Sequence, residues 1–421
     1  MKVLIQAAKI YNSTSAFHLQ RKDILIENGV VVEISDDIKD EEAEKIQGNN
    51  LKVSSGWFDL FSVVREPGNE NKDTIKTLTD SALLGGFTDL AGVSGSDPSL
   101  YNRSQVEFLK NRTAGSLLNI HPLGTITEKK EGENITEMYD LHLAGVAAFS
   151  DGRKHINNPE LLKRALLYVK PFGGKIMVYS EDQSLANGGM VNEGVVAANL
   201  GMKVRPAVAE VIAIERNLKI ANYADASIHF QAISSKESVE LIRQAKANGM
   251  KVSCDVQLAN ILFTDEKINS FNTNYKVLPV LRTEEDRQAL LKGLKDGTID
   301  AITSGHTPQD GESKDCEFDH AAFGITSLET MGVSMLEYLS EDLGEEKIYK
   351  LLSESSKKVI GLPPQTLSVG ESASVTVVDD ASWKFERKHV SSVSKNNPLV
   401  GSSFSQQVVA VLNKGLSHFN A

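Results

Sequence analysis

A chain of 421 residues with 41% hydrophobic and 24% charged residues has ordinary globular composition, which excludes general disorder and suffices for one large α/β domain plus a smaller one. A net charge of −11 argues against nucleic acid or an anionic membrane as partner, since both select for basic surface. No apolar run approaches the roughly 20 residues of a membrane span, and the opening MKVLIQAAKIYN lacks the basic-then-apolar pattern of a secretion signal.

Residues 1–55 read as all β. KVLIQAAKIY, KDILIENGVVVEISD and NLKVSSG are short β-branched runs, with Glu-Asn-Gly (Glu27 to Gly29) as a hairpin turn. From 56 to 356 the character changes, and short apolar strands alternate with amphipathic helical runs. FTDLAGV, SLLNIHPL, VAAFSD, KIMVYSED, SIHFQAI, KVSCDVQ and AITSGHT are strand candidates. SKESVELIRQAKANGM and TEEDRQALLKGLKDGT are helices; the second opens on Thr283, carries Asp286 three residues later as a cap, and closes on Gly297. About eight strand–helix units in roughly 300 residues predict a (β/α)8 TIM-type barrel rather than an open sheet. The tail, 357–421, returns to β in LSVGESASVTVVD and SFSQQVVAVLNKG. The expected α/β architecture is therefore a barrel over 56–356 and a small composite β domain built from 1–55 and 357–421. Cys254 and Cys316 have no metal-like spacing and read as free thiols of a cytoplasmic protein.

The stretch GWFDLFSVVREPGNENKDT feeds the first barrel loop. Alternate residues of a strand share a face, so Asp59, Phe61, Val63 and Arg65 form one row, polar at its ends and apolar between. YSED places Glu181 and Asp182 side by side, but adjacent strand residues point to opposite faces, which favours structural or capping roles over acid–base work. EKKEGE is a solvated charged loop, and ANGGMVNEG lacks the spacing of a phosphate-binding loop. Ser94 and Ser96 have no evident His–Asp partners, which argues against a serine hydrolase.

Ordered along some 360 residues, REPGNENKDTI, GGFTDL, GVAAFSDG, YSED, NEG, SSKESVELIRQAKANGMKV, LRTEEDRQALLKGLKDGTIDAI, HTP, FGITSLET and SKNNPLVGSSF resemble the dihydroorotases of the amidohydrolase superfamily, in the branch related to the multifunctional pyrimidine enzymes. That resemblance implies a barrel enzyme opening and closing a cyclic amide with one or two zinc ions, which lower the pKa of bound water to about 7 and polarise the carbonyl. Catalytic zinc takes about three protein donors. The family's Asp-x-His-x-His reads Asp59-Leu60-Phe61-Ser62-Val63 here, so Phe61 and Val63 replace both histidines. Tyr179 and Ala232 stand where two further histidine ligands would be, and Gly305 where the family has its ligand and general base, Asp. Substrate contacts differ as well, with Gly95 and Leu278 for two asparagines and Gln309 for a histidine. Arg65, which in the family grips the substrate carboxylate, is retained, and Asp151 is a remnant of Asp-Asp-Gly with one residue deleted.

These replacements lead us to expect no family-type zinc and no other cofactor. A substitute site from His229, His306, Asp151 and Asp255 is weighed against the commoner reading of lone barrel histidines as hydrogen-bonded core residues. Arg65 either holds a carboxylate at the barrel mouth or pairs with Asp59 or Glu66 to brace its loop. The first functional expectation is an inactive dihydroorotase-like subunit acting as a scaffold. The resemblance implies aspartate carbamoyltransferase as the partner, and a homodimer. The alternatives are a divergent amidohydrolase acting through a non-standard site on a small cyclic amide or carboxylated substrate, and an ordinary dihydroorotase, which would need water activated without zinc.

Overall fold

Where the sequence first runs apolar on both faces, it forms the first barrel strand. Trp57–Val64 (β1) is buried at every residue, as a parallel strand covered inside and out must be. The computed structural model describes residues 1–420. The remaining barrel strands are Phe87–Ser94 (β2), Asn119–Gly124 (β3), Ala148–Phe149 (β4), Ile176–Tyr179 (β5), Ile228–Gln231 (β6), Val252–Gln257 (β7) and Ala301–Thr303 (β8). They pair in chain order as one eight-stranded parallel sheet. Helices Ile75–Leu84 (α1), Arg103–Arg112 (α2), Met138–Ala144 (α3), Pro159–Val169 (α4), Ala207–Ala224 (α5), Lys236–Ala247 (α6), Glu284–Asp296 (α7) and Leu328–Leu343 (α8) complete the (β/α)8 barrel.

Local chemistry explains the helix boundaries. In α7 the Thr283 hydroxyl accepts from the Asp286 amide while the Asp286 carboxylate accepts from the Thr283 amide, satisfying two donors that a helix start leaves free. The same helix stops at Gly297, whose φ of 83° is left-handed. In α6, Val239, Ile242 and Ala245 recur on one face and are buried.

The ring closes between β8 and β1 through side chains as much as backbone. Ser304 donates to Asp59 from both its amide (2.8 Å) and its hydroxyl (2.7 Å), and the Val63 amide donates to His306 O (2.9 Å). This seam alters the expected row on β1. Pairing with β2 slips between Asp59 and Ser62, a bulge that breaks alternation. Asp59 therefore turns into the seam, and Phe58, Phe61 and Val63 join one apolar cluster with Ala91, Leu123 and Met177 from neighbouring strands. Arg65 lies beyond the strand end.

Both chain ends form the second sheet. Its strand order is Leu416–Phe419, Gln407–Asn413, Val375–Asp379, Lys52–Ser55, Lys2–Tyr11, Arg21–Glu27, Val30–Ser35, with Glu44–Ile46 beside Lys2–Tyr11. The Glu-Asn-Gly turn joins its outer hairpin; Asn28 (φ 49°) and Gly29 (φ 80°) both adopt the positive φ such two-residue turns demand. Between Val375–Asp379 and Gln407–Asn413 the chain leaves the sheet and crosses the barrel loops. There Ser392 Oγ donates to Asp73 (3.0 Å) and Ser394 Oγ to Lys72 O (2.7 Å).

Candidate functional site at the barrel mouth

The C-terminal ends of β1–β8 define the mouth, where a TIM-type barrel carries its chemistry. Phe61 (1% exposed), Val63, Tyr179 and Ala232 are buried there, and Gly305 follows β8. Two glycines at the mouth are each crowded by a facing side chain. A Cβ on Gly305 would stand 2.3 Å from Gln257 Cδ, and the φ of this glycine is +65°. The side chain of Gln257 thus takes the space in which an acidic side chain at 305 would project. Likewise a Cβ on Gly95 would meet Val63 Cγ1 at 2.2 Å. Each glycine thus leaves room for the side chain that faces it, which preserves interior packing density.

The centre of the mouth holds a cation that sequence reasoning missed. Arg153, just beyond β4, stacks its guanidinium carbon 3.9 Å from the Phe61 ring centroid and 5.6 Å from that of Tyr179. Its Nη2 donates to Gln257 Oε1 (3.2 Å). Since β1, β5 and β7 lie on different sides of the ring, a side chain touching all three must cross the barrel axis. Burial pushes the Arg153 pKa down, opposed by the carboxylates of Asp255 and Asp59 and by the Tyr179 hydroxyl. The only sequence signal was an arginine two residues past Asp151, in the segment where the family register is one residue short.

The other predicted residues are placed as follows. Arg65 is half-buried, with Nη2 donating to Pro308 O (2.8 Å) and its buried Nε unpartnered; its hydrogen bond goes to neither Asp59 nor Glu66. Glu66 instead accepts from the Ile75 amide at the start of α1 and from Arg112. Asp151 is a loop clamp: it accepts from the Ile126 amide (2.8 Å), the Thr127 amide (3.1 Å) and the Thr127 hydroxyl (2.6 Å). Burial raises its carboxyl pKa despite these bonds. Glu181 pairs with buried Arg205, and Asp182 caps the short helix Gln183–Ala186, so the adjacent carboxylates serve structure. Gln309 bridges Lys72 and the Phe323 carbonyl.

Of the four residues of the imagined substitute metal site, His229 and Asp255 come together, while His306 and Asp151 bond elsewhere. His306 faces Asp73 (3.5 Å) and accepts from the Ser327 amide (3.2 Å). His229 pairs with Asp255 (2.8 Å) and Ser253 (2.8 Å), and Asp255 also accepts from the Ala232 amide (2.7 Å). Among the described residues, no group of three or more His, Cys, Asp or Glu side chains is arranged to hold a metal ion. Arg65, Lys72 and Lys130 lie near one another at the rim beside Asp73, Asp97 and Asp310, and Lys130 is pushed down to about 8 by burial and by Lys154.

Comparison with known proteins gives the family and the fold. The family model described as Dihydro-orotase-like matches residues 52–238. A dihydroorotase of Citrifermentans bemidjiense is 36% identical over 419 residues, covering 99% of each chain. One from Acetivibrio thermocellus is 36% identical over 397 residues, covering 93% of each. Among solved structures, the L-hydantoinase (dihydropyrimidinase) of Arthrobacter aurescens superposes with a TM-score of 0.86 at 23% identity, over all of this chain and 97% of that one. This last likeness is one of fold.

Proposed function

We propose a function from one premise: the chain belongs to the dihydroorotase family. On our reading it is a dihydroorotase-like protein of pyrimidine biosynthesis that has given up zinc chemistry and serves as a non-catalytic subunit. The observation that carries this is how the ligand positions are occupied: Gln257 fills the place at Gly305 and Arg153 lies across Phe61 and Tyr179. A zinc centre needs about three N, O or S donors and an open position. Phe61, Val63, Ala232 and Gly305 carry no donor side chain, and burial keeps the Tyr179 phenol well above its usual pKa and so protonated. The residues present do not fit the metal. A guanidinium with a fixed positive charge stands among them, repelling a cation and partnering the interior carboxylates. The partner we propose is aspartate carbamoyltransferase, on the strength of the family resemblance alone.

One observation favours a second reading, a divergent amidohydrolase: Arg65 is kept, with a free buried Nε. A single set of assays separates the two. Purified protein is incubated with excess zinc, freed of unbound ion, and tested for bound metal and for dihydroorotate ring opening, with and without chelator. The scaffold reading expects less than about 0.1 zinc per chain, no turnover, and retention of aspartate carbamoyltransferase on the immobilised protein. Chelator-resistant turnover that disappears in Arg65→Met would select the amidohydrolase reading. Stoichiometric zinc with turnover would sink our argument from the side chains.

A further inference from the structure

At the opposite end of the barrel a cavity of about 1110 Å³ opens between the N-terminal ends of β5–β7 and the segment 343–364. It is slightly larger than a typical small-molecule site, roughly 300–1,000 Å³. Apolar side chains form its walls, among them Ile228, Val252, Leu294, Ile299, Leu351 and Leu362. Two polar groups mark its floor, His229 and Ser253, bonded to each other at 2.8 Å. The Asp255 carboxylate, 2.8 Å from His229 Nε2, accepts the hydrogen bond from that N–H of the neutral ring. Nδ1 is then the acceptor, the Ser253 hydroxyl donates to it, and the Ser253 oxygen presents lone pairs to the cavity.

The charges around the opening are unequal. Lys175, Lys251, Lys347, Lys350 and Lys358 line it, against Asp300, Glu346 and Glu354. Each carboxylate already has a partner: Asp300 holds Lys246 (2.7 Å), Glu346 faces His18 (3.2 Å), and Glu354 accepts from the Ser13 hydroxyl. Lys175, Lys350 and Lys358 form no ion pair among the described residues. Surplus positive charge over an apolar chamber suits one kind of guest.

We propose that this cavity binds a small amphipathic anion, its apolar body against the strand ends and its acidic group among Lys175, Lys350 and Lys358. The site is separate from the barrel mouth and does not depend on whether the mouth is active. Ser253, His229 and Asp255 are linked as in a hydrolase triad, yet binding is the better assignment. The amide following Ser253, that of Cys254, donates to Asp300 (2.9 Å) and is not free to stabilise an oxyanion.

The test titrates full-length protein with 8-anilinonaphthalene-1-sulfonate and with N-phenyl-1-naphthylamine, which shares its aromatic body but has no charge. The expected result is saturable one-to-one binding of the anion, at least about tenfold tighter than the neutral probe. The surface double variant Lys350→Glu/Lys358→Glu should weaken the anion by about tenfold and leave the neutral probe unchanged. Ser253→Trp, which fills the floor, should weaken both. Equal affinities for the two probes, or indifference of the anion to the lysine reversal, would overturn the assignment. So would covalent labelling of Ser253 by a fluorophosphonate, which would reveal a nucleophile instead.

Discussion

The two ends of this barrel interior have been treated in opposite ways. At the C-terminal end, the positions that resemblance assigns to metal ligands carry Phe61, Val63, a phenol at Tyr179, Ala232 and Gly305, and two side chains crowd facing glycines: Val63 against Gly95, Gln257 against Gly305. At the N-terminal end, Ser253, His229 and Asp255 keep a hydrogen-bonded polar chain facing an open chamber. Asp255 joins the two halves, with His229 on one side and the Arg153 charge on the other. The contrast teaches that a polar site can be removed from a barrel only in matched sets. A buried carboxylate or imidazole left without its partner costs several kcal/mol, whereas exchanging volumes between facing residues costs little.

The comparison breaks most sharply at Gly305. Gly305→Asp restores the family's acid in a residue with φ +65° and drives its Cβ into Gln257. Steric strain plus a buried unpaired carboxylate should lower stability by more than about 4 kcal/mol in urea unfolding. Adding Gln257→Ala should recover about 1–2 kcal/mol of that, a coupling that only reciprocal packing produces. Additive losses would show that the two residues do not share a space.

A smaller effect is expected at Arg153. Arg153→Met should cost about 2 kcal/mol by removing the stack on Phe61 and the countercharge to Asp255. Arg153→Lys should restore little, because a compact ammonium cannot stack as a planar guanidinium does. A loss below about 0.5 kcal/mol would place Arg153 outside the interior's electrostatics.

How much of this the chain disclosed depended on the range of the interaction. Capping by Thr283 and Asp286, the Asn28–Gly29 turn and the alternation of strands with helices are local, and the sequence carries them openly. The ordered motifs also led to residues 61, 63, 179, 232 and 305, which the structure places within or just beyond β1, β5, β6 and β8. Arg153 was not legible: no local rule says that a side chain past β4 will reach across to β1, β5 and β7. Nor does any local pattern pair Gly305 with Gln257. Asp151 looked like a surviving ligand, yet the Ile126 and Thr127 amides beside it offer a buried carboxylate better partners. The β1 row failed because Ser304, distant in sequence, draws Asp59 into the closing seam.

The least disruptive probe of the mouth is pH, through His155. This buried imidazole donates from Nδ1 to Tyr179 O (3.3 Å), and burial together with the Arg216 guanidinium pushes its pKa from 6.5 down to about 4. Unfolded chain takes up a proton on this ring near 6.5, and folded chain does not until about 4, so the unfolded state binds more protons across that window. The contribution is intact above pH 6.5 and is lost as pH falls through the window. The loss should reach about 1 kcal/mol at pH 5.5. His155→Gln keeps an N–H donor for the Tyr179 carbonyl but cannot titrate. Its urea unfolding free energy should therefore decline by about 1 kcal/mol less than that of the parent between pH 7.5 and 5.5. Parallel decline in the two proteins would shift the acid sensitivity elsewhere and show that the mouth is open enough to hydrate this ring.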